Sequence, residues 1–108
     1  MTVRDWIARR LPKPPAALTG RVMDLLGADA ERDGAATADV CLDAAARTLD
    51  ELVSSERFGR DSALDLLAVD ALTTWAFEHA SGTRNDRELL AFSERGARIL
   101  GRLATQRV

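Results

Sequence analysis

The sequence predicts an all-α fold, an antiparallel bundle of four main helices preceded by a short basic helix. Three observations predict it. Ala and Leu dominate the 46% of residues that are hydrophobic, β-branched residues are sparse and Tyr is absent, a set that favours helix over strand. Apolar residues recur at three- and four-residue steps through most of the chain. The 7 glycines and 3 prolines fall mostly between those periodic stretches. At 108 residues the chain has the length of a single domain, residues 1–108, with 1–13 read as an N-terminal arm.

The first helix is expected over about residues 2–11, with Trp6, Ile7 and Leu11 sharing one side. Pro12, Pro14 and Pro15 end it, because proline lacks the amide proton and disfavours helix in the residue before it. A second helix over about 15–26 carries Leu18, Val22, Leu25 and Leu26 at helical steps, and Gly27 terminates it. Residues 28–34 are polar and read as a turn. The third helix, about 35–55, sets Ala38, Leu42, Ala45, Leu49 and Leu52 on one stripe, with Asp39, Asp43, Arg47, Asp50 and Glu51 facing away.

The fourth helix, about 62–81, opens on Ser62 and Asp65, spaced as a capping box. Its apolar residues nearly close the circle around the axis. Leu64, Leu67, Ala68, Ala71, Leu72 and Trp75 fill one broad face, and Leu66, Val69, Ala76 and Phe77 much of the rest. A helix of that kind is expected to be enclosed by its neighbours or by a partner chain. The last helix, about 85–106, starts at Asn85 with Glu88 three residues on, a second box. Leu89, Leu90, Ala97, Leu100, Leu103 and Ala104 are expected to face inward, with Phe92 and Ile99 widening the stripe. Gly96 and Gly101 lower its helicity by about 1 kcal/mol each relative to Ala and suit close helix crossings.

Charge is unevenly distributed. The formal net charge is −2, yet both ends of the chain are basic and the middle is strongly acidic, and all but one of the 15 basic residues are arginine. That arginine bias, with the alanine richness, suits a GC-rich bacterial genome. The pattern predicts that a basic end lies against the acidic middle of its own fold or of a second copy. Cys41 is alone, so no internal disulfide forms and a reducing, cytoplasmic setting is expected. The opening residues lack the apolar core of a secretory leader, and no run approaches the roughly 18 apolar residues that cross a bilayer.

Few stretches carry chemistry. Asp70, Thr74 and Glu78 fall at i, i+4 and i+8 on the apolar fourth helix, beside Trp75. These four residues are the candidate ligand-binding set, since such a stripe can line a pocket. The plainer expectation pairs Asp70 with Arg95 or Arg98, because a buried carboxylate is costly unless paired. Arg95, Arg98 and Arg102, at i, i+3 and i+7, form a basic stripe and the candidate partner-binding set.

Adjacent Glu78 and His79 point about 100° apart on a helix and do not share a metal ion readily. No metal or cofactor is expected. His79 is expected near a helix C-terminus, where partial positive charge is favourable. Cys41, among Val40, Leu42, Ala44 and Ala45, reads as a small core filler. Phosphate loops, zinc-finger spacings and serine elbows are missing, so no enzyme is expected. The stretch from Arg57-Phe58-Gly59 to Ala76-Phe77-Glu78 resembles a central helix of the trans-prenyl synthases. It lacks their D-D-x-x-D motif in a chain too short for their fold, and no activity is carried over.

The reading that fits best is a protein-interaction or regulatory module acting as a homo-oligomer. A small-molecule-binding bundle using Asp70, Thr74 and Glu78 is the alternative. A weak nucleic-acid or membrane-surface binder working through its Arg-rich ends comes third, disfavoured by the overall acidity and the lack of aromatic residues beside the arginines.

Overall fold

The computed structural model describes residues 1–56 and 59–106, the side chains of 60, 61, 100 and 102–106 excepted. The described residues form α1 (Val3–Ala8), α2 (Ala16–Leu26), α3 (Thr37–Ser54), α4 (Arg60–Thr83) and α5 (Asp86–Gln106), with 3-10 turns at Gly27–Glu31 and Gly34–Ala36. No strand occurs among them. The fold is all-α, as the composition predicts.

Local chemistry sets most boundaries. In α1 a reciprocal cap closes the first turn: the Asp5 amide donates to Thr2 Oγ1 at 3.1 Å and the Thr2 amide to Asp5 Oδ2 at 3.0 Å. The Asn85–Glu88 box forms as expected, with the Glu88 amide donating to Asn85 Oδ1 at 2.9 Å and the Asn85 amide to Glu88 Oε1 at 3.2 Å. The Ser62–Asp65 box does not. Helix α4 begins two residues earlier, Ser62 Oγ donates to the Gly59 carbonyl at 2.8 Å, and Asp65 is taken by Arg21 of α2. Gly27 stops α2 as predicted, its φ of +55° lying where a Cβ is penalised.

The segment expected to be a polar turn is more ordered than that. The Val3 amide donates to the Arg32 carbonyl at 2.9 Å and the Gly34 amide to the Met1 carbonyl at 2.7 Å. The start of the chain is thereby laced onto the two 3-10 turns. Ala30 and Gly34 are buried there, and so is Thr37, whose hydroxyl donates to the Gly34 carbonyl at 2.6 Å. Helix α1 ends at Ala8, not near Leu11. Val3 and Ile7 enter the core, while Leu11 lies beyond the helix in water.

Helix α4 is the hub, packing chiefly on α3 and also on α2 and α5. Three cross-links fix its direction. Arg21 of α2 reaches Asp65 early in α4, Asp39 early in α3 meets Arg84 just after α4, and Phe77 of α4 meets Phe92 of α5. Helix α4 therefore runs antiparallel to α3 and α5, as short connections require, and also to α2, where Leu18 lies beside Asp70–Trp75 and Arg21 beside Asp65. The α3 stripe is fully buried as read, and Val40, Cys41, Ala44 and Thr48 widen it. Thr48 satisfies its hydroxyl on the Ala44 carbonyl at 2.8 Å.

Two core expectations are corrected. Helix α4 is not enclosed on all sides. Its inner face buries Ala68, Leu72, Trp75, Ala76, His79 and Ala80, but Leu64, Leu66 and Leu67 are 37%, 39% and 57% exposed. The cause is geometric: α3, α2 and α5 cover one side of the cylinder, and Leu66, Leu67, Asp70 and Thr74 occupy the other. Val69 and Phe77 lie half-buried at its margins. In α5 the inward stripe is rotated from the one read. Phe92, Gly96 and Ile99 are buried, whereas Leu90 and Ala97 face water. The side chains of Leu100, Leu103 and Ala104 lie outside the described residues, as does the stretch Arg57–Phe58. Gly96 does mark a close crossing, because a Cβ there would meet Phe77 Cζ at 2.4 Å; at Gly101 nothing lies within 4 Å.

Candidate functional site

The basic ends do lie on the acidic middle. Arg4 bonds Glu31 at 2.7 Å, and Arg10 bonds Glu78 through both Nε, at 2.8 Å, and Nη2. Arg84 and Arg95 converge on Asp39 at 2.9 Å each, and Arg95 also reaches Asp43 at 2.9 Å. Burial raises the pKa of Asp39, but the two arginine hydrogen bonds and their charges outweigh it and leave the carboxyl below its ordinary value.

Arg95 of the candidate partner set is thus engaged within the fold, on α3. It does not pair with Asp70. Arg98 is exposed and lines a shallow cleft of about 250 Å³ floored by Leu42 and Ile99. Arg102 lies on α5, its side chain outside the described residues.

The ligand-binding set Asp70, Thr74, Trp75 and Glu78 divides around one residue the sequence did not single out, Arg10. Its guanidinium carbon stands 5.2 Å from the Trp75 ring centroid and 5.7 Å from that of Trp6. A cation over two indole faces, tied to a carboxylate, is held in place by complementary forces. On one side of Arg10 opens a groove of about 420 Å³ between the proline-rich α1–α2 connection and α4. Lys13, Pro14, Pro15 and Leu18 form one wall and Asp70, Ala71 and Thr74 the other, with Trp75, only 4% exposed, at the floor. On the other side Arg10 and Glu78 border a second cleft, of about 400 Å³, with Trp6 and Leu11. The structure therefore brings Asp70, Thr74 and Trp75 to one groove, while Glu78 anchors the arginine at its edge.

Asp70 is exposed, and among the described residues neither it nor Lys13 makes an ion pair. The spacing of Trp6 and Arg10, four residues apart, was the available signal for the arginine. Its contact with Glu78, 68 residues away, had none.

His79 lies near the C-terminal end of α4, as expected, but it faces the core and not solvent. It sits four residues inside α4, 6% exposed, edge-on to Trp6 with ring centroids 5.4 Å apart, and its Nδ1 is buried without a hydrogen-bond partner. Burial and the nearby Arg84 charge lower its pKa, against weaker opposing effects from the Gly34 backbone and Asp39. A neutral imidazole follows at pH 7. Cys41 is fully buried, and burial pushes its thiol up to about 12, so it is not a thiolate at neutral pH. Among the described residues no group of three His, Cys, Asp or Glu side chains could hold a metal ion, and no helix is long and apolar enough to cross a membrane.

No protein-family model, curated protein or solved structure matches this chain.

Proposed function

We propose that the chain is a protein-interaction module that acts as a homo-oligomer, and that the outer face of α4 is its contact surface. The observation that supports this reading is the exposure of Leu64, Leu66 and Leu67 within four residues of one helix. Scattered exposed leucines are ordinary on a soluble domain, but Leu66 and Leu67 lie on a face that folding alone does not use, with Leu64 exposed at the opposite margin from Leu66. Charge points to a second copy as the occupant. Asp70 borders the leucines on α4, whereas the outer side of α5 presents exposed Arg87, Leu90 and Arg98. Two copies related by a two-fold axis offer apolar surface to both leucine sets and opposite charges at their rims.

Light scattering coupled to size exclusion tests this over a dilution series. The wild-type chain should elute at twice its chain mass and L67E at the chain mass, with helical circular dichroism unchanged because Leu67 is outside the core. A wild-type chain that is monomeric at every concentration removes the reading.

A second reading, a small-molecule-binding bundle, is supported by the groove that collects Asp70, Thr74 and Trp75.

A further inference from the structure

The groove between the proline-rich connection and α4 has a polarity that narrows what it suits. Its α4 wall presents a carboxylate, Asp70, one turn from the Thr74 hydroxyl, and its opposite wall presents the Lys13 ammonium. Both charges are exposed and, among the described residues, neither is neutralised by a partner or by the other. Arg10, the other cation at the groove, is committed to Glu78 and to the two indoles. Between the walls the surface is apolar: Pro15, Leu18, Ala71 and the edge of Trp75. An apolar floor with a few convergent polar groups is the usual make-up of a small-ligand site.

A pure anion meets Asp70, and a pure cation meets Lys13 and Arg10. A neutral apolar molecule leaves both charges to be desolvated without compensation. A molecule with an ammonium at one end, a carboxylate at the other and an apolar body between them satisfies both walls together. Because Lys13 and Asp70 do not pair directly, the charges of the ligand must also be separated. A short peptide's ends are further apart than those of a single amino acid. A volume of about 420 Å³ accommodates such a ligand.

We propose that this groove binds short apolar peptides, of dipeptide size, through their own charged ends: the ammonium on Asp70 and Thr74, the carboxylate on Lys13, and the side chains over Leu18 and Trp75. This rests on the small-molecule reading and adds the ligand class.

The test follows the two indole N–H signals by nitrogen–proton correlation spectroscopy, with W6F assigning them. The probes are L-leucyl-L-leucine, its N-acetyl form, its C-terminal amide, and the form blocked at both ends. L-leucyl-L-leucine should shift the Trp75 signal saturably, and D70N and K13Q should each weaken it about tenfold, the scale of one lost charge-assisted hydrogen bond. D70N should leave the affinity of the N-acetyl form unchanged, and K13Q that of the amide, since each partner is already missing. Both side chains are exposed, so neither variant should alter the urea midpoint. Equal binding of the doubly blocked peptide, or full affinity in both variants, overturns the charged-end proposal while leaving a small-molecule site standing. No saturable shift with any of the four probes overturns both.

Discussion

Replacing Arg10 with alanine gives the sharpest check on how the N-terminal segment is held. Its guanidinium faces Trp75 at 5.2 Å and Trp6 at 5.7 Å and bonds Glu78. A cation over an aromatic face contributes about 0.5–1 kcal/mol at a partly exposed site, and two faces together about 1.5 kcal/mol. The ion pair adds less, because the Glu78 side chain is 46% exposed and solvent screens it; about 0.5 kcal/mol is the usual scale for such a pair. R10A should therefore cost about 2 kcal/mol, and E78Q only about 0.5 kcal/mol. R10K should fall between them, since an ammonium keeps the charge and loses the planar fork that lies against both rings.

Urea unfolding followed by tryptophan emission, with the R10A/E78Q double variant completing a mutant cycle, separates these contributions. Most of the R10A loss should persist in the E78Q background. An R10A midpoint indistinguishable from that of E78Q would refute the reasoning, because the indole contacts would then contribute nothing.

Two further predictions concern the core. G96A should destabilise by about 1–2 kcal/mol despite the better helix propensity of alanine, because the new methyl collides with a Phe77 ring held edge-on against Phe92, centroids 5.0 Å apart. G82A, with nothing within 4 Å of its Cβ position, should instead stabilise by about 1 kcal/mol, and equal midpoints for the two variants would contradict the crossing described. His79 should make stability depend on pH: its folded pKa lies below the ordinary value of 6.5, so the unfolded chain binds the proton first as pH falls. Stability is complete above 6.5 and declines from there down to the folded pKa, a slope that H79F should abolish; urea midpoints from pH 7.5 to 5 that stay flat or rise on acidification would count against it.

Helical periodicity made the long helices legible because each long helix except α4 pairs an apolar stripe with a charged face. On α3 all five predicted stripe residues are buried. The same logic misled on α4. Apolar content around the whole axis implies enclosure only if neighbours exist on every side, and the chain supplies them on one side. The leucines at 64, 66 and 67 look in sequence like the buried Ala68 and Leu72, and only packing tells them apart.

Caps were legible where the box was local and unchallenged, as at Asn85, and not where a distant partner competed: Asp65 serves Arg21, 44 residues away, instead of Ser62. The stripe Asp70–Thr74–Trp75 was readable as a candidate, since spacing along one helix is a property of sequence. Its opposite wall was not, because Lys13 and Pro15 arrive from another part of the chain, and so does the arginine at its edge.

The tie between Arg10 and Glu78 bears on the order in which the molecule assembles during synthesis. Everything that receives the first ten residues, from the Arg32 carbonyl to the far end of α4, is translated after them. While the ribosome is still reading α3, the opening segment has no Glu78 and no second indole to settle on, and its own short helix is too brief to persist alone. Residues 1–4 find their partners around Glu31–Gly34 before α3 is made, but the Arg10 clamp closes only when α4 emerges. The contact that completes the packing of α1 therefore comes from residues more than sixty positions further along the chain.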